Sequence, residues 1–232
     1  LNIIILFQKR NANIDNKIVF VFLYTLKPYK KENGRFGLKI LFLHFEIPME
    51  SIQVHDKSFV PYLKHDEIQA IIKELAEKVY EDYKDETPIF IGVLNGVIMF
   101  FSDFLKYYPG KCEIAFLQVS SYSGTQSTGI VYKKMELTKD VMDRHIILME
   151  DIVDTGNTLE NLFEYFKNTQ RPKSLKVASL LLKPDVFKKD FIVDYVAKEI
   201  PNKFVLGYGL DYDELGRNLP DLYQLEEGRI NH

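Results

Sequence analysis

The sequence predicts an α/β fold built on a mostly parallel central sheet flanked by helices. Two patterns carry that expectation. Short, continuous apolar runs have the length of buried strands, and the segments between them place apolar residues at helical spacing. A strand covered by helices on both faces is apolar on both, so it reads as a run rather than an alternation.

The elements follow in order from Met49. Asp66 followed by Gln69 reads as a helix N-cap with its capping-box partner. Ile68, Ile71, Ile72, Leu75 and Val79 then repeat on one helical face. Ile89 to Leu94 is a strand-length apolar run, and Val97, Phe100, Phe101, Phe104 and Leu105 return to helical spacing. Ile114 to Val119 reads as a strand, and residues 120 to 129, polar and glycine-bearing, read as a mobile loop. Ile146 to Met149 is another buried strand, followed by a helical stripe of Leu159, Leu162, Phe163 and Phe166. Val177 to Leu182 and Phe204 to Leu210 complete the expected strands.

Residues 1 to 48 differ from the rest. They hold eight basic and three acidic residues, against 22 and 30 in the remainder, within a chain of 232 residues and net charge -3. Their longest apolar run, Ile18 to Leu26, is half the length a membrane helix needs, and no secretory pattern of one apolar stretch with a small-residue cleavage site is present. The expectation is a leader outside the working domain, with Met49 as the true start and residues 49 to 232 as that domain.

Composition excludes several classes. Net negative charge argues against a nucleic-acid binder. The single cysteine, Cys112, forbids an intrachain disulfide and fits a reducing, cytoplasmic setting. His44, His55, His65, His145 and His232 are scattered, with no zinc-ligand spacing. Gly124 and Gly129 have the glycine spacing of a P-loop, but Ile130-Val131 follow where Lys-Ser/Thr is required.

The chemistry is expected at the carboxyl ends of the strands, where open α/β sheets bind ligands. After Met149 come Glu150-Asp151, then Asp154-Thr155-Gly156-Asn157-Thr158, then a helix. A strand-to-helix turn of small residues exposes backbone N–H groups at the positive end of a helix dipole, which is a cradle for phosphate. Two carboxylates beside such a cradle repel an anion unless a cation or sugar hydroxyls intervene. A ribose phosphate with Mg²⁺ supplies both.

On these residues the chain resembles the phosphoribosyl-pyrophosphate motif of the type I phosphoribosyltransferases, over about residues 52 to 230. It is most similar to the hypoxanthine-guanine branch, through Val93-Leu94-Asn95-Gly96, Ser121-Tyr122, Gln126-Ser127-Thr128-Gly129, Val177 to Lys183, and Lys203 to Tyr208 with Leu210-Asp211-Tyr212. The resemblance implies that family's fold, with a small hood made from the chain ends. It implies transfer of ribose-5-phosphate from phosphoribosyl pyrophosphate to hypoxanthine or guanine, giving IMP or GMP and pyrophosphate, and a homodimer or homotetramer.

It also implies roles. Asp154 is the catalytic acid/base at N7 of the base. Glu150 and Asp151 hold the ribose hydroxyls, directly or through the metal shell. Thr155, Gly156, Asn157 and Thr158 cradle the 5′-phosphate. Leu94, Asn95 and Gly96 hold pyrophosphate through backbone N–H groups, with a cis peptide before Asn95. Asn-Gly alone reads as a hairpin turn, but the helical stripe after it argues against one. Ser121 and Tyr122 open a lid over the reaction. Lys183, otherwise a lysine ending a strand in solvent, donates to the 6-oxo group. Phe204, otherwise plain core, stacks on the base while the Val205 backbone reads its edge. Asp211 holds Mg²⁺ on the pyrophosphate side, and Arg217 contacts pyrophosphate. Relatives often carry Lys where this chain has Asn95 and Asn157, and Gly where it has Val97. Two rivals remain: a phosphoribosyltransferase for another base, and a non-catalytic nucleotide-sensing regulator on the same fold.

Overall fold

The computed structural model describes residues 51–118, 137 and 139–226, together with the backbone of five short strands nearer the N-terminus. The chain divides into two units, Leu1–Glu50 and Ser51–His232. In the first, β1 (Ile3–Ile5), β2 (Phe22–Thr25) and β5 (Ile40–Leu41) form an antiparallel sheet, and β3 (Tyr29–Lys30) pairs with β4 (Phe36–Gly37).

The second unit is an α/β domain. Its five-stranded parallel sheet has the order β12 (Tyr195–Glu199), β11 (Ser174–Leu182), β10 (His145–Val153), β8 (Ile89–Leu94), β9 (Glu113–Gln118). Helices cover both faces, so alternate residues of the central strands enter different cores. Ile147 and Met149 of β10 join the cluster of α1 (His65–Tyr83) and α2 (Ile98–Tyr107), with Ile68, Ile72, Phe100 and Phe104. Ile146 and Leu148 face α3 (Asn157–Tyr165), with Leu159 and Leu162, and the π-helical turn Phe166–Gln170 that prolongs it. Double-sided burial is why the strand sequences are continuous apolar runs. None of the described helices is long and apolar enough to cross a membrane.

The strand order places the site. β9 lies to one side of β8 and β10 to the other, and the helices after β8 and β10 pack on opposite faces. The two connections therefore diverge and leave a crevice at the carboxyl ends of β8 and β10.

A second, antiparallel sheet forms the hood. It has the order β13 (Val205–Leu206), β14 (Leu222–Leu225), β7 (Lys57–Leu63), β6 (Ile52–Val54). The expected strand Phe204–Leu210 needs correction. Only Val205–Leu206 is extended, and it belongs to the hood rather than to the parallel sheet. Gly207, Tyr208 and Gly209 all have positive φ and turn the chain sharply. The fifth parallel strand is β12, an edge strand without a continuous apolar run, which sequence pattern did not predict.

Two boundaries also differ. β10 continues through Glu150-Asp151 to Val153, because backbone pairing with β11 continues in register to Val153↔Leu182 whatever the side chains carry. Helix α1 begins one residue before Asp66. Its start is capped by the Glu67 carboxylate, which accepts from the Lys64 N–H (2.9 Å), and by Asp221, which accepts from the His65 N–H (2.8 Å). A distant carboxylate thus does the work expected of Asp66. The loop expected over residues 120–129 lies outside the described residues.

Candidate active site

The crevice holds a cavity of about 300 Å³ lined by residues 93–96 and 150–159. It brings together Leu94, Asn95, Gly96, Glu150, Asp151, Asp154, Thr155, Gly156, Asn157 and Thr158, all expected at the site. β10 ends at Val153 and α3 starts at Asn157, so residues 154–156 form the strand-to-helix turn. Gly156 sits at φ 80°, a left-handed conformation that glycine adopts without strain, and a Cβ there would lie 2.7 Å from the Phe187 ring. The Leu94–Asn95 peptide is cis.

The acidic pair is drawn in from water. Glu150 is 7% exposed. Burial, followed by the adjacent Asp151 charge, holds its carboxyl well above the usual range. Burial likewise pushes Asp151 up to about 6, against the amide of Ile152 and the charge of Arg217, which favour the carboxylate. Two neighbouring acids, one buried and one half-buried, are costly as bare charges, and a cation or a set of hydroxyl donors beside them removes that cost. Asp151 also packs against the β8–α2 loop: a Cβ on Gly96 would lie 1.7 Å from its Oδ2.

Lys183 follows β11 and is 8% exposed. Its ammonium donates to Asp154 Oδ2 at 2.9 Å, spanning the ends of β11 and β10. The carbonyl of Lys183 accepts from Val186 N–H (3.2 Å) and Phe187 N–H (3.1 Å), which fixes the turn that carries it.

The hood supplies the remaining residues. Phe204 is 44% exposed, with Phe59 (6.1 Å between ring centroids) and Tyr212 (5.8 Å) behind it, and Val205 is buried beside it. Arg217 pairs with Asp211 Oδ1 at 2.7 Å and donates to the Gly209 carbonyl at 3.0 Å. None of these lines the cavity directly. The Arg217–Asp211 pair reaches its edge through Gly209, where a Cβ would fall 2.0 Å from the Gly96 carbonyl oxygen. Gly209 and Phe59 were missed from sequence. The Gly-x-Gly spacing of Gly207 and Gly209 was the available signal for the first; nothing local marks Phe59. Ser121 and Tyr122 lie outside the described residues.

The turn, the acidic pair and the lysine-paired aspartate lie at the carboxyl ends of the parallel strands, where a phosphoribosyl-transferring enzyme is expected to bind its ribose phosphate. Residues 61–213 match the phosphoribosyl transferase domain. The hypoxanthine-guanine phosphoribosyltransferase of Streptococcus pneumoniae is 42% identical over 166 residues, 71% of this chain and 92% of that protein. The enzyme of that name from Aquifex aeolicus is 36% identical, over 75% of this chain and 99% of its own. A crystal structure of a hypoxanthine phosphoribosyltransferase from Staphylococcus aureus superposes with a TM-score of 0.67 at 40% identity, covering 72% of this chain and 90% of that one. The chain belongs to the hypoxanthine-guanine phosphoribosyltransferase family.

Proposed function

We propose that the chain transfers ribose-5-phosphate from phosphoribosyl pyrophosphate to N9 of hypoxanthine or guanine, giving IMP or GMP and pyrophosphate in purine salvage. The observation that carries this reading is one cavity holding the 154–158 turn, the acidic pair and Asp154 in contact with Lys183.

In this reading the amides and hydroxyls of residues 154–158 bind the 5′-phosphate, and the Leu94–Gly96 loop takes the pyrophosphate. Glu150 and Asp151 orient the ribose hydroxyls. Phe204 stacks on the base and the Val205 backbone reads its edge. N9 bonds to C1′ as the bond from C1′ to pyrophosphate breaks, and Asp154 accepts the proton leaving N7. Lys183 exchanges its contact with Asp154 for the 6-oxo group, which places base and proton acceptor together. Fixed dipoles around the ribose stabilise the positive charge that grows on it.

Mg²⁺ is the cofactor in this reading, and when bound it would supply positive charge to the leaving pyrophosphate. Glu150, Asp151 and Asp211 are the residues that would hold it. Glu150 and Asp151 fit such a group, because neighbouring acids drawn in from water are relieved by a counter-charge.

The test is a panel of phosphoribosyl pyrophosphate and Mg²⁺ with hypoxanthine, guanine, xanthine, adenine or uracil. Nucleotide and pyrophosphate should form with the first two. Turnover of adenine or uracil alone overturns the base assignment, and pyrophosphate release with none of the five points to a sensing role. A homodimer or homotetramer and a cytoplasmic setting complete the reading. Residues 1–48 are assigned no part in it, so protein starting at Met49 should keep full turnover; loss of activity on that truncation removes the assignment.

A further inference from the structure

We infer that Tyr208 is a positioning residue, a strut that fixes the pyrophosphate side of the site through Gly209. The inference rests on the reading of Asp211 and Arg217 given above.

Tyr208 occupies φ 49°, between Gly207 at φ 100° and Gly209 at φ 99°. A bulky residue in the left-handed region is uncommon and persists only where its surroundings hold it there. The ring lies in the apolar core, and the hydroxyl meets polar partners from two helices. The Tyr208 side chain is fully buried. Its hydroxyl donates to the Asp103 carboxylate of α2 and accepts from Gln69 Nε2 of α1 at 3.0 Å. Gln69 also donates to Asp103 Oδ2 (2.6 Å) and accepts from the Tyr107 hydroxyl (3.0 Å), while Lys106 donates to Asp103 Oδ1 (2.7 Å). Gln69, which reads from sequence as a capping-box residue, is thus part of this network. Four side chains converge, directly or through one another, on a phenol that is not among the residues lining the crevice cavity.

The backbone carries the effect to the site. The Tyr208 N–H donates to the Leu219 carbonyl at 2.9 Å. The next residue, Gly209, donates its N–H to the Arg217 carbonyl (2.9 Å) and accepts from the Arg217 guanidinium (3.0 Å). That guanidinium in turn holds Asp211. The other side of Gly209 lies against the Gly96 carbonyl, in the loop assigned to pyrophosphate. Anchoring Tyr208 therefore sets both the Arg217–Asp211 pair and the approach of that pair to residues 94–96. Phe204 and Val205 precede that turn and are held by pairing with β14, and Lys183 follows β11, so the strut bears first on the pyrophosphate side.

The experiment uses the full chain and the variants Tyr208→Phe, Asp103→Asn and Arg217→Gln. It measures KM for phosphoribosyl pyrophosphate and for hypoxanthine, and the Kd for magnesium pyrophosphate by calorimetry. Tyr208→Phe should weaken phosphoribosyl pyrophosphate and magnesium pyrophosphate about tenfold, the order expected for a lost buried hydrogen bond. KM for hypoxanthine should stay within about twofold. Asp103→Asn, whose amide oxygen still accepts from the phenol, should stay near the parent. A drop in melting temperature with all constants unchanged, or an equal loss for both substrates, overturns the strut. If Arg217→Gln weakens phosphoribosyl pyrophosphate and Tyr208→Phe does not, the strut alone falls. If Arg217→Gln has no effect, the pyrophosphate reading falls and takes the strut with it. Should Tyr208→Phe fail to fold, Gln69→Ala, which removes one of the phenol's two partners, carries the same expectation.

Discussion

Replacing Gly96 with alanine adds a single methyl group at the tightest point of the site. That methyl would sit 1.7 Å from Asp151 Oδ2 and 2.7 Å from its Cγ, whereas ordinary contact begins near 3.4 Å. Either the 94–96 loop or the Asp151 carboxylate must therefore move by about 1.5 Å, and displacements near 1 Å can cost about a hundredfold in rate. The expected loss in kcat/KM for phosphoribosyl pyrophosphate is at least about a hundredfold, or roughly 2.7 kcal/mol of transition-state stabilisation. Leu94 and Val97, on either side of Asn95-Gly96, pack into the α1–α2 core, so a modest fall in melting temperature should accompany the kinetic loss. Steady-state kinetics beside a thermal melt check this. The double variant Gly96→Ala/Asp151→Ala separates steric from chemical causes: it removes the clash, so binding of metal-free pyrophosphate to residues 94–96 should recover relative to Gly96→Ala. A Gly96→Ala enzyme with parental kcat/KM would refute the packing of that loop against the acidic pair.

Other perturbations bear on separate links. Asp154→Asn should fold normally and lose about a hundredfold to ten-thousandfold in kcat, the usual range for a general acid/base; near-full turnover in a folded protein rules out that role. Asp221→Ala removes an acceptor from the first turn of α1 and the 2.8 Å partner of Lys64. The expected cost is about 1 kcal/mol, seen as a fall of roughly 2–4 °C in a thermal melt; an unchanged melt means the helix start is held by other groups. Glu113 accepts from Lys139 and Arg144, each at 2.6 Å, and these bonds hold its carboxyl down at about 2. A depressed acid stabilises the fold above its ordinary value near 4.5 and loses that contribution as pH falls toward 2. Glu113→Gln should therefore flatten the acid limb of a stability-against-pH curve in that window and leave neutral kinetics unchanged; an unaltered acid limb contradicts it.

Much of the fold was legible because double-sided burial writes itself into sequence. Ile89–Leu94 matches β8 to the residue, and the stripes of α1 and α3 occupy the helix faces expected of them. What escaped depends on contacts distant in the chain. β12 is held at the sheet edge by pairing with β11, and Val196, Ala197 and Lys198 keep only partial burial, so no apolar run announces it. The cap of α1 comes from Asp221, more than 150 residues away, and no local window contains it. The stretch after Phe204 is apolar enough to read as a long strand, yet three successive positive φ angles break it after Leu206. The strand-to-helix turn at residues 154–156 was readable because strand, small residues and helix are contiguous there. The arrival of Gly209 beside Gly96, and the burial of Tyr208 between two helices, emerge only when the hood is folded onto the sheet.

A crystal of the chain grown with IMP tests the central proposition most directly. The 5′-phosphate should rest on the amides of residues 154–158, with the purine against Phe204 and its 6-oxo oxygen within hydrogen-bond reach of the Lys183 ammonium. A nucleotide bound with its phosphate elsewhere, or Lys183 still paired with Asp154 beside an occupied base site, contradicts it.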